Sequence, residues 1–463
     1  MAVFKRIISL ITSLIMTIAG YPMSFLPSQT DTDFFVAAGS SSDDFLTVNG
    51  NETALDYSAD AGKISFDFSD TDCGYFNYFG ISYSSDAYLK GEITYSKGKT
   101  VSSEEFFLEP CENGVFYSFI DGVFDKKKMN GLCSVSFAPL DKAEAEVEIF
   151  GISTFNREIP EREIFIENGK IRIGIDLLWG GALSYFEDLD SNVEAVKVDG
   201  ITKVDSNASE RYGKRAVNKS VNLINANDTG RLVQQSYYGS DGSSGDGYTP
   251  GIFMDNRWNY NPVQGGNQYN ESSKIVDLKV TENEIYVKCR PLDWSLPEEN
   301  ITPSYMEATY VLDGARLDAS CRFVDFSGYT PTYTSQEIPA FYCIEPFNRF
   351  VYCPDEDIEI VPDLIFWPDA GYPKFNSTEN WAGFIGEFDD SFGIGVYVEG
   401  ENSFLAGVYN RETTDEKDPA HDDPTSYIAV IKFITFESFT PFSYNFSLTS
   451  GTAEEIRQTF AER

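Results

Sequence analysis

Hydrophobic and polar residues alternate along most of this chain with a period of two. From Asp31 to Phe155 the pattern falls into short runs separated by turn residues: GKISFDFS, YFNYFGISY, YLKGEITYS, EEFFLEP, GVFYSFI, LCSVSFAPL and AEVEIFGIS. Side chains on a strand point alternately to its two faces, so such runs, spaced roughly 10 to 15 residues apart, predict a β-sandwich with one polar face per strand. After a linker at Asn156 to Pro160 the runs lengthen, as in EREIFIENGKIRIGIDLLWGGALSYFEDL and MEATYVLDGARLDASCRFVDF, and no 3.6-residue periodicity intervenes. This predicts a second, larger two-sheet sandwich. Only the tail AEEIRQTFAER reads as a helix, with Thr452 as its cap and Ile456 and Phe460 on one face.

The fold class expected is therefore all-β. A jelly-roll-like β-sandwich spans 31–158, and a large supersandwich spans 162–463. Residues 1–20 read as an export signal: Lys5 and Arg6 precede the apolar run Ile7 to Ile18, and Ala19 and Gly20 offer a cleavage point. About a dozen apolar residues fall short of the ~20 needed to span a bilayer, so the expected location is extracellular, with no membrane partner beyond export.

The formal net charge of −38 argues against nucleic acid and anionic membranes, which select basic surfaces. Seven cysteines are scattered without metal-ligand spacing. Cys343 with Cys353, or Cys111 with Cys133, could close a hairpin. His421 is the only histidine and lies in the loop-like DPAHDDP, so a histidine-based nucleophile system has nothing else to draw on. No cofactor is expected. Two Asp-rich segments, GSDGSSGDG and DPAHDDP, offer carboxylates for Ca²⁺ without EF-hand spacing and read as flexible loops.

Candidate chemistry is concentrated between Asn222 and Asn267. NLINANDTGRLVQQSYYG is followed, after a Gly/Ser/Asp loop, by NRWNYNPVQGGNQYN. Flat rings stack on the C–H faces of a pyranose, and amides, carboxylates and guanidinium groups bind its hydroxyls. The expected binding set is Arg231, Gln234, Tyr237, Trp258, Asn261, Gln264 and Asn267, with a polysaccharide or oligosaccharide as partner. The bland alternative is an Asp228–Arg231 turn with amides serving the fold, since buried polar groups need partners. Trp179, Trp294, Trp367 and Trp381 are expected to serve packing in part.

Sugar cleavage asks for two carboxylates, one protonated. Glu337, among apolar and aromatic neighbours in TSQEIPAFY, is the acid/base candidate. Glu345 would lie ~26 Å away on a continuous strand, outside the ~5 to 9.5 Å of a glycosidase pair, so Asp228 is the expected mate. Between residues 209 and 235, five cations (Arg211, Lys214, Arg215, Lys219, Arg231) face two carboxylates, which leaves a lyase with Tyr237 or Tyr238 as base in view.

Three segments of the larger domain resemble the galactose-mutarotase-like supersandwich of carbohydrate-active proteins: ENGKIRIGIDLLWGGALSYFEDL, the NDTGR block and ENWAGFIGEFDDSFGIGVYVEG. The resemblance covers about 300 residues and implies a sugar site on the concave face of the larger sheet. Mutarotases of that superfamily use histidines with a carboxylate around the ring oxygen, and no histidine here matches. The resemblance therefore implies the fold and groove rather than aldose epimerisation. The activity expected is glycoside hydrolysis; the alternatives are a non-catalytic glycan-binding or scaffold protein and, third, a polysaccharide lyase.

Overall fold

A computed structural model describes residues 34–36, 41–42, 46–48, 57–60, 63–68, 76–124, 131–142, 145–191, 193–198, 201–205, 213–214, 217–297, 300–362, 364, 373–386, 392–409 and 425–463. The export segment 1–20, Cys73, Arg211, Arg215, Trp367 and His421 with its DPAHDDP loop lie outside these residues. The chain is all-β apart from one 3₁₀ turn and the helix Ala453–Ala461 among the described residues. It divides into two compact units, one of residues 1–120 and 125–159, the other of 121–124 and 160–463.

The first unit holds a six-stranded and a five-stranded sheet. The six-stranded one runs Ser41–Ser42, Leu46–Val48, Ala145–Phe155, Tyr78–Ser85, Cys111–Phe119, with Phe34–Val36 also on Ala145–Phe155. The five-stranded one runs Tyr57–Asp60, Lys63–Asp67, Gly131–Pro139, Leu89–Lys97, Thr100–Leu108. Alternation in the sequence becomes alternation in burial: in Lys63–Asp67, Ile64 and Phe66 are buried while Lys63 and Asp67 are exposed. Phe79 of one sheet meets Phe106 of the other edge to face at 5.3 Å, a ring pairing that adds to the area buried.

The second unit is built on sheets of ten and nine strands. The ten-stranded sheet runs Glu163–Glu167, Ile171–Asp176, Ala182–Asp188, Val233–Ser236, Tyr333–Ile344, Thr425–Thr435, Ser403–Tyr409, Lys374–Asn376, with Pro262–Val263 added on Val233–Ser236 and Leu292–Asp293 on Pro262–Val263. The nine-stranded path is Lys274–Val280, Glu284–Arg290, Ser304–Asp313, Arg316–Asp325, Phe442–Gly451, Gly393–Tyr397, Trp381–Gly386, Phe347–Tyr352, Glu359–Val361. The sheets meet face to face. Gln235 on the first donates to the carbonyl of Glu307 on the second at 2.9 Å, and the Tyr237 ring sits 4.4 Å from that of Phe323.

Thr452 caps the helix as the sequence predicts. Its hydroxyl accepts from the Glu455 amide at 3.3 Å while the Glu455 carboxylate accepts from the Thr452 amide at 2.8 Å, a reciprocal capping box. Ile456 and Phe460 pack with Trp381, Ile385 and Val351 of the nine-stranded sheet. A side chain at Gly395 would begin 2.6 Å from the Ile456 methyl, so a glycine there is what lets the helix approach. All six described cysteines are free thiols, so neither hairpin pairing forms.

Ile456 is fully buried in this contact. Ile456→Ala is expected to lower the unfolding free energy by about 2–5 kcal/mol in denaturant titration, the range for emptying an aliphatic core site.

Candidate functional site

The two polar-aromatic segments do come together, but most of the amides face inward. Gln234 is buried; its amide nitrogen donates to the carbonyls of Thr229 (2.9 Å) and Gly230 (3.0 Å), and its oxygen accepts from the Gly265 amide at 2.7 Å. Gln264 accepts from the Gln235 amide at 3.3 Å and donates to the Gly180 carbonyl at 3.3 Å. Asn261 donates to the Tyr237 carbonyl (2.7 Å) and the Ser236 hydroxyl (3.1 Å). Asn267, with no exposure at all, accepts from the Tyr269 and Glu271 amides at 3.0 and 3.1 Å and donates to the Leu296 carbonyl at 3.0 Å. These four side chains were expected to grip hydroxyls of a ligand. In the structure their hydrogen-bonding groups are taken by the backbone of irregular segments that no sheet ladder satisfies.

Two glycines make this knot possible. Gly180 adopts φ 59°, and a Cβ on it would lie 2.0 Å from the Gln264 carbonyl oxygen. A Cβ on Gly265 would lie 2.2 Å from the Thr229 carbonyl oxygen. No side chain fits at either place.

Asp228 serves its own turn. One carboxylate oxygen accepts from the Gly230 and Arg231 amides at 2.9 and 3.0 Å, and the other lies 3.5 Å from the Arg231 guanidinium. This is the internal turn weighed as the alternative. It corrects the expectation of Asp228 as the free mate of Glu337 and of Arg231 as a hydroxyl ligand, because both charges are buried on each other. Tyr237 is corrected too. Alternation sends it inward with Gln235, whose oxygen accepts its hydroxyl at 2.8 Å, and its ring packs against Phe323, Phe436 and Phe442.

The next residue points the other way. Tyr238 donates its hydroxyl to Glu337 Oε1 at 3.2 Å, and Tyr427 donates to the same oxygen at 2.8 Å. Ser236 pairs with Glu337 across neighbouring strands, the register shifts between Glu337 and Ala340, and the carboxyl lies beside Tyr427, itself buried with Ala340, Ala429 and Ile431. Pro339 therefore marks an irregularity within the strand Tyr333–Ile344, and Glu345 falls past its end. Part of the Glu337 side chain keeps solvent access while dense protein surrounds the carboxyl. Burial pushes it above the ordinary glutamate value, against the lowering pull of the Tyr427 and Tyr238 hydroxyls.

Trp258 continues this face. Its ring meets Tyr238 edge to face at 6.1 Å, and its indole N–H donates to Asn261 Oδ1 at 3.0 Å. It comes from a hairpin in which Gly251–Phe253 pairs with Asn256–Trp258 and turns through Met254 and Asp255, both at positive φ (48° and 60°), the hand that suits a two-residue hairpin. Phe253 lies 5.0 Å from Trp258 and 5.6 Å from Trp294, ring centre to ring centre. The Trp294 ring in turn lies against Gly230, beside the Asp228 turn. Tyr238, Trp258, Phe253 and Trp294 thus form a row of half-buried rings with Glu337 at one end.

Of the expected site residues, Glu337 and Trp258 share this surface. Sequence reasoning missed Tyr427 and Phe253. For Tyr427 the signal was its alternation with Ala429 and Ile431 along a central strand, which places it on the face opposite Ile428 and Val430. In the GSDGSSGDG loop, Asp246 accepts from the Ser240 hydroxyl (2.6 Å) and the Thr330 amide (2.7 Å). No three metal-binding side chains converge among the described residues.

No family model and no curated protein matches this chain. Among solved structures it is similar to galactose-mutarotase-like proteins. A putative aldose 1-epimerase from Escherichia coli K12 shares 7% identity at a TM-score of 0.34, covering 63% of this chain and 99% of that one. A galactose mutarotase related enzyme from Lactobacillus acidophilus shares 11% at a TM-score of 0.33, covering 63% and 98%. An alpha-mannosidase from Enterococcus faecalis shares 10% at a TM-score of 0.34, covering 93% of this chain and 44% of that one. At this degree of similarity the likeness transfers no chemistry, and the site stands on its own residues.

Asn267→Ala would strand two backbone amides and one carbonyl, and is expected to destabilise the protein by about 1–3 kcal/mol in denaturant titration. Glu337 gives a pH signature. Its folded-state affinity for a proton exceeds the unfolded one, so stability falls as pH rises from the unfolded value of 4.5 towards the folded value. Glu337→Gln keeps an Oε1 acceptor for both tyrosines without the charge. Its stability relative to the parent is expected to rise with pH through that window in thermal unfolding, and to level off above it.

Proposed function

We propose that this protein binds a saccharide along the aromatic row Tyr238–Trp258–Phe253–Trp294, with Glu337 as the hydrogen-bonding head of the site. The observation that carries the reading is the Glu337 carboxyl, desolvated and held by two tyrosine hydroxyls where the half-exposed rings begin. Rings in this state offer C–H contacts without further ordering, and a carboxyl with a raised proton affinity can both donate to and accept from a sugar hydroxyl. Non-catalytic binding is favoured over hydrolysis because Asp228, the carboxylate expected opposite Glu337, is occupied by the Gly230 and Arg231 amides and by the Arg231 guanidinium. The strongly acidic chain favours neutral glycans over uronates as ligands, which argues against a lyase. Residues 1–20 fit export of the protein to where such glycans occur.

Retention on neutral polysaccharides in affinity electrophoresis tests this. Trp258→Ala is expected to weaken retention by about tenfold, the scale of losing an aromatic contact at the centre of a site. Unchanged retention in that variant would remove the proposal. Release of reducing ends from the same polysaccharides by the parent protein, abolished in Glu337→Gln, would replace binding with hydrolysis.

A further inference from the structure

Aromatic side chains lie on both sides of Glu337. In the sheet, Tyr333–Ile344 runs between Val233–Ser236 and Thr425–Thr435. Tyr238 follows the first of these neighbours, and Phe433 belongs to the second. Ser335 pairs with Phe433 and Glu337 with Ile431, with no register shift between them, so period two puts Tyr333, Ser335 and Glu337 on one face with Ile431 and Phe433. The hydrogen bond from Tyr427 to Glu337 identifies this as the face that also carries Tyr427. Glu337 and Phe433 are diagonal neighbours, with backbones about 7–8 Å apart, and Tyr333 lies about 13 Å from Glu337 along its strand.

Tyr333 is 69% exposed and Phe433 49%, yet their rings pack on each other at 6.0 Å and 39°. Among the described residues they are the only two exposed rings in mutual contact. Lys374 Nζ lies 5.3 Å from the centre of the Phe433 ring, and the half-buried Ser335 sits opposite Phe433 on the neighbouring strand. Folding gains little from rings left in water. Two rings also fall far short of the roughly 800 Å² that each partner of a stable protein interface contributes. A sugar unit matches the patch in both size and chemistry, since its C–H face meets a ring while its hydroxyls reach a serine and an ammonium group.

We infer that the ligand is a glycan chain that passes Glu337, with units on Tyr333 and Phe433 to one side of the carboxyl and on Tyr238 and Trp258 to the other. This rests on the saccharide reading and extends it, because a short sugar seated at Trp258 would leave the Tyr333–Phe433 pair unused.

Isothermal titration of the full chain with disaccharides and octasaccharides cut from glucan, mannan and xylan tests the length requirement. In a class that binds, the octasaccharide is expected to bind at least about tenfold tighter than the disaccharide, the scale of one further aromatic contact. Tyr333→Ala combined with Phe433→Ala is expected to remove that preference and to leave the disaccharide affinity unchanged, whereas Trp258→Ala weakens both lengths. Tyr333→Trp keeps a ring and is expected to keep the preference. Both rings are exposed, so matching thermal unfolding of parent and variants is expected and separates a lost site from a lost fold. Equal affinity for the two lengths, or a preference that survives the double variant, would overturn this inference and leave the saccharide reading standing. Binding of no saccharide by the parent would remove both.

Discussion

Everything around the candidate site depends on the satisfaction of backbone groups in segments that belong to no regular ladder. Between Asp228 and Asn270 the chain makes only short strands, yet residues 231–237 and 261–267 are buried. An unpaired buried amide or carbonyl costs on the order of 1–3 kcal/mol, so several of them would undo the unit. Gln234, Asn261, Gln264 and Asn267 supply the missing partners, each side chain standing in for a strand that is not there.

That constraint explains which side chains remain for a ligand. Once the amides are committed inward, the outward positions pass to rings and to one carboxyl. Trp258 is tied by its N–H to Asn261, so the same amide that binds the Tyr237 carbonyl also orients the ring. Glu337 is positioned by the pairing of its strand with Ser236 and by the register shift that follows it. The loop scaffold and the aromatic row are joined by hydrogen bonds through Asn261.

Two other carboxylates are bonded to tyrosines. The buried carboxylates Asp293 and Asp325 accept from the Tyr248 and Tyr260 hydroxyls, and burial raises both above the ordinary aspartate value despite their hydroxyl donors. Glu337 instead lies directly between the half-buried Tyr238 and the buried Tyr427.

The all-β class, the capped terminal helix and the meeting of the two polar-aromatic segments were legible in one dimension, because period-two alternation, a Thr-x-x-Glu box and local composition are properties of neighbours along the chain. The destination of each polar side chain was not. Gln234 and Trp258 come from equally polar stretches, yet one closes a buried loop on the Thr229 and Gly230 carbonyls and the Gly265 amide while the other stays half-exposed, tied to the Asn261 side chain. Tyr237 and Tyr238 are adjacent and chemically alike. Only the packing of one sheet on another sends the first into the core and the second to Glu337, because a strand separates its two faces but does not say which of them will be covered.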